Sequence, residues 1–397
     1  MSDDSLTYAA NSTRKTTQPP GFPARAGGAV LGSLAATTKA TQPQGVGAAA
    51  GGAVLGSLAA TSLSRDLPAL SARLDDLRAL LGADLADVER GLEALCTASA
   101  SAHLGRRAAS HLVAQRGKRI RPVCVLLGAR IAGAVIDHRA VDLAIACELV
   151  HAATLLHDDV IDEGTERRGA PAARVVYGNS ASILGGDLLL VQALDRVRAA
   201  GKPELLATLL ETLTSMVAAE ATQLARRGTL EPSRERYLDV ADGKTAALFR
   251  WALTAGAGLG ELGGDALLAL GEIGTALGRA FQLVDDVLDL EGDARELGKD
   301  LYADLEQGKL TWPLLVAMER DARLLARLEQ LARASSPDPS DLARVLECVR
   351  ATGALDETRS RAMAEVERAR ASLRRLPASA ATSALGQVID AVVLRRS

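Results

Sequence analysis

The chain has 397 residues, 48% of them hydrophobic, enough for one large or two ordinary domains with a sizeable core. Its 46 basic and 49 acidic residues leave a formal charge of -3, which excludes an overall electrostatic footprint for nucleic acid and requires any functional charge to be local. Ala and Leu dominate the apolar residues, aromatics make up 2%, and β-branched runs are few, so the composition predicts an all-α fold.

The first sixty or so residues are rich in Gly, Ala, Ser, Thr and Pro, and GGAVLGSLAAT occurs twice, at 27–37 and 51–61. Two copies are too few for a solenoid, which needs about three repeats to bury a core. Residues 1–65 are therefore read as a low-complexity, flexible leader, and the lack of basic residues beside its apolar ones argues against a lipid-surface helix. The start MSDDSLTYAA lacks a basic-then-apolar secretory pattern, and no apolar stretch approaches the roughly 20 residues of a membrane span. A soluble, cytoplasmic protein without a transmembrane segment is expected. Cys96, Cys124, Cys147 and Cys348 form neither a CxxC pair nor a dense framework, as suits reduced thiols in that compartment.

From about Asp66 the pattern turns helical: Leu67, Leu70, Leu74, Leu77 and Leu81 recur at threes and fours, with charged residues between them. Further helices are predicted at about 122–135, 139–162, 180–199, 203–227, 234–257, 265–290, 311–331, 339–352 and 355–375, between Gly, Pro or polar breaks. Helix follows helix with no alternating strands, so residues 66–397 are expected to form one large helical bundle.

HAATLLHDDVIDEGTERRG sets Asp158 and Asp162 four apart, one turn from each other on one helix face. Like charges at that spacing repel, and a divalent cation held by carboxylate oxygens offsets the repulsion. Magnesium suits such a pair because it is commonly held by one or two carboxylates plus substrate phosphates. Asp159 is turned about 100° from Asp158 and is a support or second ligand. Taken alone, the pattern fits a solvated acidic helix end equally well. It recurs in AFQLVDDVLDLEGD, where Asp285 and Asp289 share a face and Asp286 stands beside Asp285. Both copies end strongly apolar helices, an arrangement that suits a substrate with a charged head and a hydrocarbon tail.

Positive charge is grouped near these motifs: Lys118, Arg119 and Arg121 in GKRIRP, Arg167 and Arg168 in ERRG, then Lys244, Lys299 and Lys309. Singly, each reads as a surface salt bridge. Together, the planar arginine forks and the lysine point charges suit phosphate oxygens. His151 on an apolar helix reads as a core residue, His157 as packing or second-layer support, and Asp187 in LGGDLLL as a helix-start or structural residue.

GKRIRP, ELVHAATLLHDDVIDEGTERRG, GNSASILGGDLLL, KTAALF, FQLVDDVLD, LGKD and GKLTWP, spanning about Arg106 to Pro313, resemble the trans-isoprenyl diphosphate synthases, the polyprenyl synthetase family. The resemblance implies an isoprenoid-synthase helical bundle around a central channel, working as a homodimer. It implies Asp158, Asp162 and Asp285 as magnesium ligands, supported by Asp159, Asp286 and Asp289, with three ions clamping an allylic diphosphate. Arg167 would contact that diphosphate, while Lys118, Arg121, His151 and Arg168 would hold isopentenyl diphosphate. Lys244 and Lys299 would neutralise the leaving group, and Thr245 and Gln282 would turn oxygen dipoles towards the developing cation.

In the family, bulky residues upstream of the first acidic motif floor the tail channel. Here Thr154, Ala153, Val150 and Cys147 are all non-aromatic, and HAATLLHDDVID is most similar to the long-chain octaprenyl and decaprenyl branch. A long-chain product for isoprenoid quinones is the expectation, with a geranylgeranyl or farnesyl product as the alternative. A terpene cyclase would ordinarily replace DDVLD with an Asn/Ser/Glu triad. A non-catalytic partner subunit should have lost site residues that are all present here.

Overall fold

The computed structural model describes residues 67–97, 103–115, 117–291, 303–333 and 339–394. The repeat-bearing leader, 1–65, and Lys299 lie outside the described residues. The leucine periodicity that opens the domain becomes α1 (Leu67–Thr97), followed by α2 (Leu104–Val113), α3 (Ile120–Ile131) and α4 (His138–Ile161). A two-stranded hairpin, β1 (Glu166–Arg167) and β2 (Ala170–Pro171), leads into α5 (Ala173–Tyr177), α6 (Asn179–Ala199) and α7 (Pro203–Ala225). The predicted helix at 234–257 is one rod of three parts: α8 (Arg234–Ala241), a π-helical turn (Asp242–Ala246) and α9 (Ala247–Ala257). The chain continues through α10 (Gly264–Glu291), α11 (Ala303–Glu306), α12 (Trp312–Arg320), α13 (Ala322–Arg333), α14 (Pro339–Ala351), α15 (Ala354–Leu373) and α16 (Ala380–Leu394).

The fold is all-α, as predicted, with three differences from the sequence reading. Helices α2 and α16, the short helices α5 and α11 and the β1–β2 hairpin were not anticipated. The segment at 311–331 divides at Asp321, whose extended backbone ends α12 and whose carboxylate accepts from Arg323 N at 3.0 Å to start α13. By length and hydropathy, α4, α7 and α10 are each long and apolar enough to cross a membrane, contrary to the expectation from sequence. For α4 and α10 the apolar residues are largely committed to the core, which explains the high hydropathy without a bilayer.

α4 lies most extensively against α6, and α3 against α9. The second pair touches backbone to backbone: a Cβ at Gly128 would run into the Leu253 carbonyl oxygen, and one at Gly256 into that of Val125. Two apolar clusters result. The larger is centred on α3, α4 and α9, and the smaller joins the end of α10 to α12, α14 and α15. α10 runs from the first cluster, which it leaves after Phe281, into the second, so Asp285, Asp286 and Asp289 lie among residues of the smaller cluster.

Candidate active site

Asp137 starts α4 by accepting from Arg139 N at 2.9 Å and Ala140 N at 3.4 Å. At the other end of α4, Asp158 lies in the last turn and Asp162 is the C-cap, its N–H bonded to Asp158 O at 2.7 Å. The C-terminal pole of a helix is negative, so it repels both carboxylates in addition to their mutual repulsion. Cations from distant parts of the chain answer this: Asp162 pairs with Arg227, just beyond α7, and with Lys309 Nζ at 2.8 Å. Asp159 is 1% exposed and accepts from Arg167 Nε at 3.0 Å and Nη2 at 2.5 Å. The Asp158 carboxylate accepts no hydrogen bond from a described residue. Burial raises its carboxyl pKa, Lys244 pulls it back and Glu220 pushes it further up.

The hairpin after α4 presents the next two cations. Arg168 and Gly169 have φ of 52° and 73°, the two left-handed residues of a type I′ turn, so Arg167 and Arg168 stand at a tight reversal. Arg168 Nη1 donates to Gln115 O at 2.6 Å. On the first turn of α3, the Arg121 guanidinium lies 4.6 Å from the Phe249 ring centre and 5.8 Å from that of Phe281. Burial, then the charges of Arg121, Arg168 and Arg167, push the His151 imidazole well below its usual range, so it is a neutral hydrogen-bonding group there. Lys118 is half-buried on the same segment as Arg121. Arg119 has a different part: its side chain is 3% exposed and ties Glu89 of α1, at 2.7 Å, to Glu148 of α4, at 2.5 Å.

In the second motif Asp285 is half-buried, whereas Asp286 and Asp289 are each 1% exposed. Asp286 Oδ2 accepts from Tyr237 Oη at 2.7 Å and from Trp312 N at 3.0 Å, and its Oδ1 accepts from Gln282 Nε2 at 3.0 Å. Burial, then Asp304, push this carboxyl up to about 7 against the pull of those donors. The native state therefore keeps a proton that the unfolded chain, with a carboxyl near 4, has released between about pH 4 and 7. Stability should fall as pH rises through that window. Urea unfolding of metal-free protein at pH 5 and 7.5 should show a larger loss for wild type than for Asp286→Asn; equal losses would remove Asp286 as the source.

The π-helical turn carries Lys244 and Thr245. Lys244 Nζ bonds Gln223 Oε1 at 2.9 Å and pairs with Glu220, and Thr245 Oγ1 donates to Gln282 Oε1 at 2.8 Å. Lys309 joins the halves of the site, since it also lies 3.6 Å from Asp304, whose charge acts on Asp286. A cavity of about 170 Å³ opens here, with Tyr237, Lys244, Gln282, Asp286, Asp304 and Lys309 in its wall.

Sequence reasoning missed Arg227, Glu220, Tyr237 and Asp304, and took Lys309 singly as a surface salt bridge, whereas its side chain is 9% exposed. Asp187 is not at a helix start but in the interior of α6, 3.5 Å from His157, which also contacts Ile183 O at 3.2 Å. Among the described residues no three His, Cys, Asp or Glu side chains form a metal cage. The donors available to a cation are hard carboxylate oxygens, led by that of Asp158, which accepts no hydrogen bond from a described residue. That set fits a magnesium-like ion that completes its shell with water or phosphate.

Residues 103–349 match the family described as polyprenyl synthetase. The chain is 34% identical over 304 residues to the octaprenyl diphosphate synthase of Escherichia coli, covering 77% of this chain and 93% of that protein. It is 33% identical over 293 residues to a short chain isoprenyl diphosphate synthase of Methanothermobacter thermautotrophicus, covering 73% and 90%. The crystal structure of a polyprenyl synthase from Caulobacter crescentus, complexed with calcium and isoprenyl diphosphate, aligns with a TM-score of 0.77 at 36% identity. That alignment covers 81% of this chain and 98% of the other.

Proposed function

The chain belongs to the polyprenyl synthetase family, whose members are prenyltransferases, and on that premise we propose that it joins an allylic diphosphate to isopentenyl diphosphate, head to tail (1′-4), and builds a long all-trans chain. The observation that carries this reading is the linkage of two carboxylate motifs through Asp162, Lys309 and Asp304, with Lys244 beside them. We assign the catalytic domain to residues 66–397.

Bound magnesium, three ions in our reading, would be held by Asp158, Asp162 and Asp285 and would supply neutralisation of the charge that builds on the departing diphosphate. Lys244, Lys299, Lys309 and Arg167 bind its oxygens, Lys309 exchanging Asp162 for phosphate. Lys118, Arg121, His151 and Arg168 hold isopentenyl diphosphate, with His151 donating as a neutral imidazole. The allylic carbon–oxygen bond breaks with its electron pair leaving on the diphosphate, and the isopentenyl double bond attacks the cation. A proton then passes to the released diphosphate. Thr245 and Gln282 turn oxygen dipoles towards the cation before it is captured, and closure against water prevents quenching.

Product length follows from α4. Ala153, Val150 and Cys147 are buried in the core, so the partly open face behind Asp158 carries Thr154 and Leu155, neither of them aromatic. Given farnesyl diphosphate, isopentenyl diphosphate and magnesium, the protein should release chains several units longer, read by chromatography, and Thr154→Phe should shorten them. A wild-type product that stops after one addition would point to the geranylgeranyl alternative. Quinone side-chain supply is the downstream use we assign to a long product.

A homodimer is supported by exposed apolar residues seven apart on neighbouring helices: Leu184 and Val191 on α6, and Leu210, Val217 and Leu224 on α7. Sedimentation should give twice the chain mass for wild type and a lower mass for Val217→Glu. A monomeric wild type would contradict the dimer. We assign the protein to the cytoplasm, without a membrane span.

A further inference from the structure

Asp286 stands in an acidic motif, yet protein donors occupy both of its oxygens. Three donors converge on it: Tyr237 Oη, the Trp312 backbone N–H and Gln282 Nε2. In its ionised form, the one relevant at pH 8, a carboxylate only accepts, so it holds the amide nitrogen of Gln282 on its own side and turns Oε1 the other way. There Oε1 takes the Thr245 hydroxyl proton at 2.8 Å. With its proton committed, Thr245 Oγ1 has only lone pairs to offer elsewhere. The amide orientation of Gln282 thus decides whether Thr245 faces a cation with electron density or with a proton.

Of the three donors, Tyr237 is the one whose contribution is a side chain from a separate helix, α8. Its ring is held in place: the Trp312 ring meets it edge-on at 5.3 Å, and the guanidinium groups of Arg234 and Arg361 lie 5.1 and 5.6 Å from the Trp312 ring centre. We propose that Tyr237 is a positioning residue for prenyl transfer, which through Asp286 fixes the Gln282 amide and so aims the lone pairs of Thr245 at the ionising carbon. Asp286 then works as an orienting group rather than as a metal ligand. This role rests on the prenyltransferase function proposed above.

The test is a double-mutant cycle on the full chain at pH 8, with farnesyl diphosphate, isopentenyl diphosphate and magnesium. Tyr237→Phe keeps the ring and its packing and removes only the hydroxyl. It should lower kcat about tenfold, equivalent to ~1.4 kcal/mol of barrier, with the KM for isopentenyl diphosphate and the half-saturating magnesium concentration unchanged. In a Gln282→Met background the same substitution should change kcat less than about twofold, because the amide it orients is gone. Should Gln282→Met be too slow to assay, Thr245→Ala, which removes the oxygen being aimed, is the second background and should give the same result. A Tyr237→Phe variant as fast as wild type, an equal loss in all backgrounds, or a raised magnesium requirement would overturn the role. A wild type that performs no condensation would instead overturn the function on which the role rests.

Discussion

Asp158→Ala is expected to lower kcat by about 10³-fold, or ~4 kcal/mol of transition-state stabilisation, while leaving thermal stability unchanged or slightly raised. Loss of activity follows if this carboxylate helps to hold the cations that neutralise the leaving diphosphate. The stability outcome follows from its surroundings. The Asp158 carboxylate accepts no hydrogen bond from a described residue, burial raises its pKa, and it sits at the negative end of α4. In the metal-free protein its charge is a liability, so removing it costs the fold nothing. A carboxylate kept for structure would behave the other way, with a falling Tm. Activity assays paired with thermal melts separate the two, and an active variant or a markedly less stable one would count against the metal role.

Arg119→Met should have the largest effect on stability. The guanidinium is buried between Glu89 and Glu148, and burial opposes its charge, but the two carboxylates outweigh that penalty and hold it protonated. Removing it strands two carboxylates in a dry setting, a loss of about 3–5 kcal/mol for breaking a buried pair. A drop in Tm on the order of 5–10 °C is expected. Adding Glu89→Gln and Glu148→Gln should recover part of it, because the stranded charges are then gone. Arg119 also has a left-handed backbone, φ 50°, at the entrance to α3. Losing it should therefore disturb neighbouring Lys118 and Arg121 as well and raise the KM for isopentenyl diphosphate. A melt within about 1 °C of wild type would show that the triad contributes little.

These two residues also show what the sequence could and could not reveal. Asp158 and Asp162 were legible because their relation is local: four residues on an apolar helix place them one turn apart wherever that helix packs. Arg119 stood in the same basic run as Lys118 and Arg121, and nothing local separates a guanidinium that faces phosphate from one that fastens α1 to α4. Only the positions of Glu89 and Glu148 in space decide it. Arg227 and Lys309 reach Asp162 from 65 and 147 residues away along the chain, so their roles depend on tertiary packing and leave no local signal. Tyr237 and Asp304 were invisible for the same reason. The hairpin of Arg167 and Arg168 was passed over because two-residue strands carry no alternation, although an Arg-Gly pair at a reversal is a usable hint of a left-handed turn. Helix α16 was missed because its first turns are Ala, Thr and Ser around Gly386, a pattern that packing rather than propensity makes helical.

The most direct test of prenyl transfer is incorporation of labelled isopentenyl diphosphate by the purified full chain, with and without farnesyl diphosphate and with magnesium or a chelator. Label should enter organic-extractable material only when farnesyl diphosphate and magnesium are both present. No incorporation by folded, helical protein under any of these conditions would contradict the proposed function.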